Sequence, residues 1–133
     1  MTQADRAVLV VDDDVDIRSV VCELLTDEGY QVKTAVNGRD ALAKLSCWQP
    51  DVILLDLMMP IMDGWTFLTN QQSSQQLRQI PVIVMSASHT LTRGDEQLAV
   101  ADIVAKPFEI DTVLTKVAAL AQRADAPAQP LAS

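Results

Sequence analysis

The sequence contains few cysteine, histidine and basic residues, and each shortage excludes a class of function. Its 133 residues include two cysteines and one histidine, which argues against a disulfide framework or a Cys/His zinc site. Ten Lys and Arg residues face 18 Asp and Glu residues, giving a formal net charge of −8. Because nucleic-acid recognition needs clustered positive charge, we expect no direct nucleic-acid binding. Cys22 and Cys47 are expected to be reduced, buried or half-buried thiols in a cytoplasmic protein.

Long apolar runs are also missing. A membrane span needs roughly 18 consecutive apolar residues, whereas the apolar runs here are strand-sized, so we expect no membrane association. The amino-terminal residues lack the basic start and apolar stretch of a secretory signal. The length predicts a single domain over residues 1–123. The Ala-, Pro- and Gln-rich segment 124–133 is expected to be a disordered tail.

Short apolar runs instead alternate with amphipathic segments along the chain. Strands are expected at residues 7–11, 31–36, 52–55, 81–85 and 103–105. Most of these runs are apolar at every position, which indicates strands buried on both faces, as in a parallel sheet covered by helices. Helices are expected at residues 15–28, 38–46, 64–72, 95–101 and 109–123. Five alternations of strand and helix predict an open α/β fold.

Two acidic residues, Asp12 and Asp13, directly follow the first expected strand. Ligands of open α/β sheets bind outside the carboxyl ends of the strands, and adjacent carboxylates there repel each other unless a cation neutralises them. Mg²⁺ suits such a site because it prefers oxygen ligands and often takes only one or two carboxylates. Asp14 or Asp16 is more simply explained as the N-cap of the helix that follows.

Three other kinds of site fit the acidic segment less well. An EF-hand calcium loop needs glycine at its sixth position, where this chain has Ile17. A flavodoxin-like FMN carrier would place the phosphate beside repelling carboxylates. The motif from Val10 to Val15 also resembles the first motif of the haloacid-dehalogenase phosphatases, in which Asp12 would be the nucleophile. That family typically has a further acidic pair after its lysine, but here Glu109 and Asp111 fall within a helical pattern.

The segment around Asp56 is the most specific feature of the sequence. An apolar strand ends at Asp56, and Pro60 then prevents a helix from starting at once. Asp63 and Gly64 form a turn before the next helix. A carboxylate at a strand end, beside other carboxylates, can be a metal ligand or a nucleophile toward phosphorus.

Four motifs together resemble the signature of bacterial two-component response regulator receiver domains. They are Asp12-Asp13, the run from Asp56 to Pro60 with Asp63-Gly64, Ser86-Ala87, and Lys106-Pro107. The resemblance covers residues 7–123 in order. It implies a flavodoxin-like, doubly wound, five-stranded parallel sheet with strand order 2-1-3-4-5 and five helices. It also implies a phosphorelay switch that catalyses its own phosphorylation and dephosphorylation and is not otherwise an enzyme.

The resemblance assigns a role to each residue of the site. Asp56 would be the phosphoacceptor and a ligand of Mg²⁺. Asp13 would bind Mg²⁺ directly, Asp12 through a water molecule, and Met58 through its backbone carbonyl.

The resemblance also assigns the groups that contact the phosphoryl oxygens and transmit the signal. Ser86 would donate its hydroxyl and Lys106 its ammonium group, which suits compact contacts to phosphate. Many members of the family have an aromatic switch residue three positions before the lysine, where this chain has Ile103.

The implied phosphodonor is a phosphohistidine on a sensor histidine kinase or a histidine phosphotransfer protein. In the family such donors dock on the first helix and on the loop after the fifth strand. The matching positions are Ile17, Val20, Pro107 and Phe108. The resemblance specifies neither a downstream effector nor an oligomeric state.

Overall fold

The computed structural model describes residues 6–57, 61–86, 100–105 and 109–125. The strands are β1 (Ala7–Val11), β2 (Gln31–Ala35), β3 (Val52–Asp56), β4 (Val82–Ser86) and β5 (Asp102–Ala105). The helices in these ranges are α1 (Val15–Asp27), α2 (Gly38–Leu45), α3 (Gly64–Ser73) and α4 (Ile110–Asp125), with a short 3-10 helix at Leu77–Gln79. The expected helix at 95–101 lies almost entirely outside the described residues.

The strands form one parallel sheet in the order β2-β1-β3-β4-β5, which confirms the fold class that the sequence predicts. The register places Val11 beside Leu55, and Asp56 beside Met85. β1 and β3 therefore end next to each other, at the same edge of the sheet.

The sheet separates two clusters of buried apolar side chains. Because side chains alternate along a strand, Leu9 and Ile53 point into one cluster together with Phe67 and Leu68 of α3. Val10 and Leu54 point into the other, which includes Leu25 of α1 and Val113 and Val117 of α4. All five residues of β1 and of β3 are buried, which explains why β1, and β3 up to Leu55, are apolar at every position.

Side-chain caps fix the helices that begin near the carboxyl edge of the sheet. The Asp14 carboxylate accepts hydrogen bonds from the amides of Asp16 and Ile17, which confirms it as the N-cap of α1. Asn37 caps α2, and Asp63 caps α3 by accepting from the Thr66 amide. The sequence predicts only a turn at Asp63, so its capping role is a finding of the structure.

The environment of one cysteine differs from the expectation. Cys22 is half-buried, as expected, but Cys47 is exposed, so that part of the prediction was wrong. Cys47 follows the end of α2, where the chain leaves the packed helix.

None of the helices in the part of the chain that the structure describes is long and apolar enough to cross a membrane.

Candidate functional site

Three carboxylates meet at the carboxyl edge of the sheet. Oxygen atoms of Asp12, Asp13 and Asp56 all lie within 4.8 Å of one another. Asp12 is fully buried, Asp56 is 5% exposed, and Asp13 is exposed to solvent. The cluster therefore has a buried base and an open side, and it brings together three of the residues that the sequence predicted for the site.

The sheet register explains why these residues meet. Val11 and Leu55 are paired neighbours in β1 and β3, so Asp12 and Asp56 are the next residues at two adjacent strand ends. The Asp12 amide also donates to the Ala35 carbonyl at 3.1 Å. This bond extends the β1–β2 pairing by one residue and holds Asp12 against the sheet.

The loop after β1 is fixed by local hydrogen bonds. The Asp14 amide donates to Oδ1 of Asp12 at 2.9 Å, and Nη1 of Arg18 donates to the Asp12 carbonyl at 2.8 Å. Arg18 is not among the site residues that the sequence predicts. The sequence indicates this contact only weakly, because a single basic residue one helical turn after the Asp14 cap is an ordinary feature of a helix.

The loop after β3 approaches the sheet so closely that only glycine fits at position 64. A Cβ atom built on Gly64 would lie 2.6 Å from Leu57 Cα and 2.7 Å from the Asp56 carbonyl oxygen. The Gly64 amide donates to the Leu57 carbonyl at 2.9 Å. The start of α3 therefore packs directly against the backbone that carries Asp56.

A second contact ties this loop to α2. The Gly38 amide donates to the Met62 carbonyl at 3.0 Å. Beside it, Ile61 has a φ of 69° and is 78% exposed. A β-branched residue is rare in this left-handed region, so the loop holds Ile61 in an unfavourable conformation.

The chemistry of the carboxylate cluster fits a hard divalent cation. Two unit negative charges no more than 4.8 Å apart repel by at least roughly 3.5 kcal/mol at an effective dielectric constant of about 20. A bound cation replaces this repulsion with attraction. Mg²⁺ takes oxygen ligands and retains several waters, and the exposed side at Asp13 leaves room for them. The carboxylates of Asp12, Asp13 and Asp56 could hold such an ion, directly or through water.

Other predicted site residues are only partly described. Ser86 ends β4, next to Met85, the residue that pairs with Asp56. Its backbone pairs with Ala105 of β5, but its side chain is outside the described part. Met58, Lys106, Pro107 and Phe108 also lie outside the described residues.

The predicted switch and docking residues that the structure describes differ in exposure. Ile103 lies on the edge strand β5 and is 41% exposed. On α1, Ile17 is half-buried and packs against the cluster that contains Leu25, whereas Val20 is 51% exposed. Val20 is thus available on the surface, and Ile17 contributes partly to the core.

Comparisons with known proteins give a consistent result. Residues 8–118 match the family model of the response regulator receiver domain. The DNA-binding dual master transcriptional regulator RpaA of Synechocystis sp. is 35% identical over 121 residues, which are 89% of this chain and 50% of RpaA. The chain spans about half the length of such curated relatives.

Solved structures agree with this match. Chemotaxis response regulator CheY4 of Vibrio cholerae is 32% identical with a TM-score of 0.80, covering 86% of this chain and 98% of CheY4. Response regulator TrrA from Thermotoga maritima, in complex with Mg(2+)-BeF, is 30% identical with a TM-score of 0.77, again covering 86% of this chain and 98% of TrrA.

Proposed function

The chain belongs to the response regulator receiver domain family of two-component signalling switches, and we propose that Asp56 is its phosphoacceptor. The observation that carries this proposal is the cluster of Asp12, Asp13 and Asp56, with carboxylate oxygens within 4.8 Å of one another. Asp56 ends the central strand β3, where close packing at Gly64 holds its backbone in place. A nucleophile fixed in this way needs little reorganisation before it attacks phosphorus.

The proposed reaction transfers a phosphoryl group to the Asp56 carboxylate. A carboxylate oxygen forms a bond to phosphorus while the bond from phosphorus to the donor nitrogen breaks, giving an acyl phosphate and a free histidine on the donor. Phosphoryl transfer depends mainly on positioning and charge neutralisation. The fixed strand end supplies the positioning in this chain.

Mg²⁺ is the proposed cofactor. Asp13 and Asp56 would bind it directly, Asp12 through a water molecule, and Met58 through its backbone carbonyl. When bound, the ion would supply positive charge to the phosphoryl oxygens. The complex of the similar protein TrrA with Mg(2+)-BeF supports this choice of metal.

Ser86 and Lys106 are proposed to contact the phosphoryl oxygens through a hydroxyl and an ammonium group. β4 ends at Ser86 beside the strand that carries Asp56, and β5 ends at Ala105, one residue before Lys106. β4 and β5 thus end on the same edge of the sheet as the carboxylates. Lys106 would pair with Asp56 before transfer, since a compact cation suits both carboxylate and phosphate.

The proposed phosphodonor is a sensor histidine kinase or a histidine phosphotransfer protein in the cytoplasm. The exposed Val20 on α1, together with Ile17, Pro107 and Phe108, would form its docking surface. The net charge of −8 favours output through a protein surface over direct contact with nucleic acid. RpaA is described as DNA-binding, which is compatible with an effector region beyond the part that this chain matches.

The switch is proposed to operate within a receiver domain that comprises residues 1–123. Phosphorylation adds about −1.5 to −2 charge at the sheet edge and would draw the Ser86 hydroxyl toward the phosphate. Ile103, which is 41% exposed on β5, would respond by a change of rotamer. An isoleucine fills less space than an aromatic ring, so we expect weaker coupling than in members with an aromatic residue there.

Incubation with acetyl phosphate and Mg²⁺ tests the proposal. We expect one added phosphoryl group, mapped to Asp56 by mass spectrometry after borohydride trapping, and none without a divalent cation. Asp56→Asn should abolish the modification, whereas Asp27→Asn, at an exposed position on α1, should leave it unchanged.

Two results of this experiment would contradict the proposal. Modification at Asp12 would indicate the dehalogenase-type phosphatase chemistry, which the family match does not support. An unmodified Asp56 in a folded sample would exclude the switch mechanism itself.

A further inference from the structure

The one basic side chain on α1 reaches back to the loop that carries the acidic residues. Arg18 lies one helical turn after the N-cap Asp14, and its amide donates to the Asp14 carbonyl at 3.0 Å. Its side chain points toward β1, where Nη1 donates to the main-chain carbonyl of Asp12 at 2.8 Å. Arg18 is half-buried, so this is a specific contact made by a partly enclosed guanidinium.

We propose that Arg18 is a positioning residue for the divalent-cation site, acting through the backbone of Asp12 and not through its charge. This inference deepens the proposed function and rests on it. Arg18 would not contact the cation or the phosphoryl group.

Planarity of the peptide bond gives the physical reason. The carbonyl of Asp12 and the amide of Asp13 belong to one rigid unit. A donor that fixes the Asp12 carbonyl therefore fixes the direction in which Asp13 leaves the strand. Asp13 is exposed, so little packing is available to hold its backbone.

Two other polar groups of Asp12 are held by other parts of the molecule. Its amide donates to Ala35 of β2 at 3.1 Å, and its Oδ1 accepts from the Asp14 amide at 2.9 Å. The Arg18 bond adds a third contact, at the Asp12 carbonyl. Asp12 is thus oriented by three separate elements: a neighbouring strand, its own loop and α1.

A purely electrostatic role for Arg18 predicts the opposite effect. A positive charge near the cluster repels a divalent cation, so its removal would tighten Mg²⁺ binding. Arg18 lines an open depression with Ser19, Cys22, Glu23 and Thr34, so solvent reaches its side chain. Such a charge is screened by water, whereas a charge-assisted hydrogen bond to a partly buried carbonyl is retained. We therefore expect positioning to dominate.

The test compares Mg²⁺ affinity in three variants, measured from amide shifts in ¹⁵N NMR titrations. Arg18→Met keeps the apolar stem but removes the donor, and should weaken Mg²⁺ binding about three- to tenfold. Arg18→Lys keeps a donor long enough to reach the carbonyl and should stay within about twofold of the wild type. Arg39→Met removes an exposed arginine on α2 and should have no effect.

Stability is measured in parallel by urea unfolding without Mg²⁺, so that a change in folding is not mistaken for a change in the site. If Arg18→Met does not fold, Arg18→Gln replaces it. The glutamine amide nitrogen lies two bonds short of the position of Nη1 in arginine, so this variant also removes the donor to the Asp12 carbonyl. An unchanged or tighter Mg²⁺ affinity in the folded Met or Gln variant would overturn the inference. So would a Lys variant that binds as weakly as the Met variant.

Failure of this inference differs from failure of the proposed function. Wild-type protein that binds Mg²⁺ and is phosphorylated at Asp56, with Arg18→Met binding equally well, refutes only the role of Arg18. Wild-type protein that neither binds Mg²⁺ nor is modified at Asp56 refutes both.

Discussion

Ile61 holds a backbone conformation that side chains branched at Cβ rarely adopt. Its φ of 69° lies in the left-handed region, which costs roughly 1–2 kcal/mol for an L-residue other than glycine, asparagine or aspartate. The side chain is 78% exposed, so burial compensates for little of this cost. The Gly38–Met62 hydrogen bond and the close packing at Gly64 hold the loop in place despite the strain.

Replacing Ile61 with asparagine should therefore stabilise the protein. Asparagine tolerates the left-handed region, and we expect Ile61→Asn to raise the free energy of unfolding by about 1 kcal/mol. Urea denaturation with an unchanged m-value would demonstrate it. Ile61→Val, which keeps the branched Cβ, serves as the control and should change stability by less than about 0.5 kcal/mol. A less stable Asn variant would show that the strain is not significant.

At the scale of secondary-structure elements, an ion pair joins the edge strand β5 to α4. Nζ of Lys116 lies 2.8 Å from Oδ2 of Asp102, and the Ile103 amide donates to Oδ1 at 2.8 Å. Partial burial raises the pKa of Asp102, but the Lys116 and Ile103 donors together outweigh it and lower the pKa below its ordinary value. The ionised form of Asp102 is therefore the one that holds α4 against β5.

This pair should make a pH-dependent contribution to stability. Folding lowers the pKa of Asp102, so the ion pair contributes its full stability above the pKa of Asp102 in the unfolded chain, about 3.9. The contribution is lost as the pH falls through the pKa of Asp102 in the folded protein. The side chains are 29% and 40% exposed, so we expect Lys116→Met to cost only a few tenths to about 1 kcal/mol at neutral pH.

Urea unfolding of wild type and Lys116→Met over a series of decreasing pH values checks this expectation. The difference between the two proteins should be constant from neutral pH down to about pH 5 and should shrink below about 3.9. Thr115→Ala, at an exposed position on the same helix, removes no charge and should differ from wild type equally at every pH. A deficit for the Lys116 variant that grows toward acid pH would contradict the assignment.

The elements also show which features the sequence could predict. Continuous apolar runs located β1 and β3 because residues buried on both faces leave a strong pattern, and the carboxyl ends of those strands then placed Asp12, Asp13 and Asp56 together. The contact of Arg18 with the Asp12 carbonyl and the positive φ of Ile61 left no such pattern. Each depends on how a loop is held by neighbouring elements, which composition and periodicity do not encode. Cys47 was misjudged for the same reason, since its exposure depends on where α2 ends.

For the whole molecule, Mg²⁺ binding should be coupled to folding. The unfolded chain does not hold Asp12, Asp13 and Asp56 together, so a cation that binds their cluster stabilises the folded state by RT ln(1 + [Mg²⁺]/Kd). At ten times Kd this amounts to about 1.4 kcal/mol. A net charge of −8 also predicts some stabilisation by any salt, because added ions screen repulsion within the compact molecule.

Thermal unfolding in MgCl₂ and in NaCl at equal ionic strength separates these two effects. We expect Tm to rise further in MgCl₂ than in NaCl. The excess, which is the difference in Tm between the two salts, should increase with Mg²⁺ concentration as the binding equation requires. Asp13→Asn should lose most of the excess while retaining the response to NaCl. Equal increases in the two salts for the wild type would mean that the cluster does not bind Mg²⁺.

The division of the apolar interior by the sheet has a consequence for how this chain tolerates sequence change. The cluster around Phe67 and the cluster around Leu25 lie on opposite faces, with fully buried strands between them. A substitution that alters volume on one face must be compensated by neighbours on that same face, because the backbone of the central strands separates the two. Repacking of the face covered by α2 and α3 can therefore proceed independently of the face covered by α1 and α4.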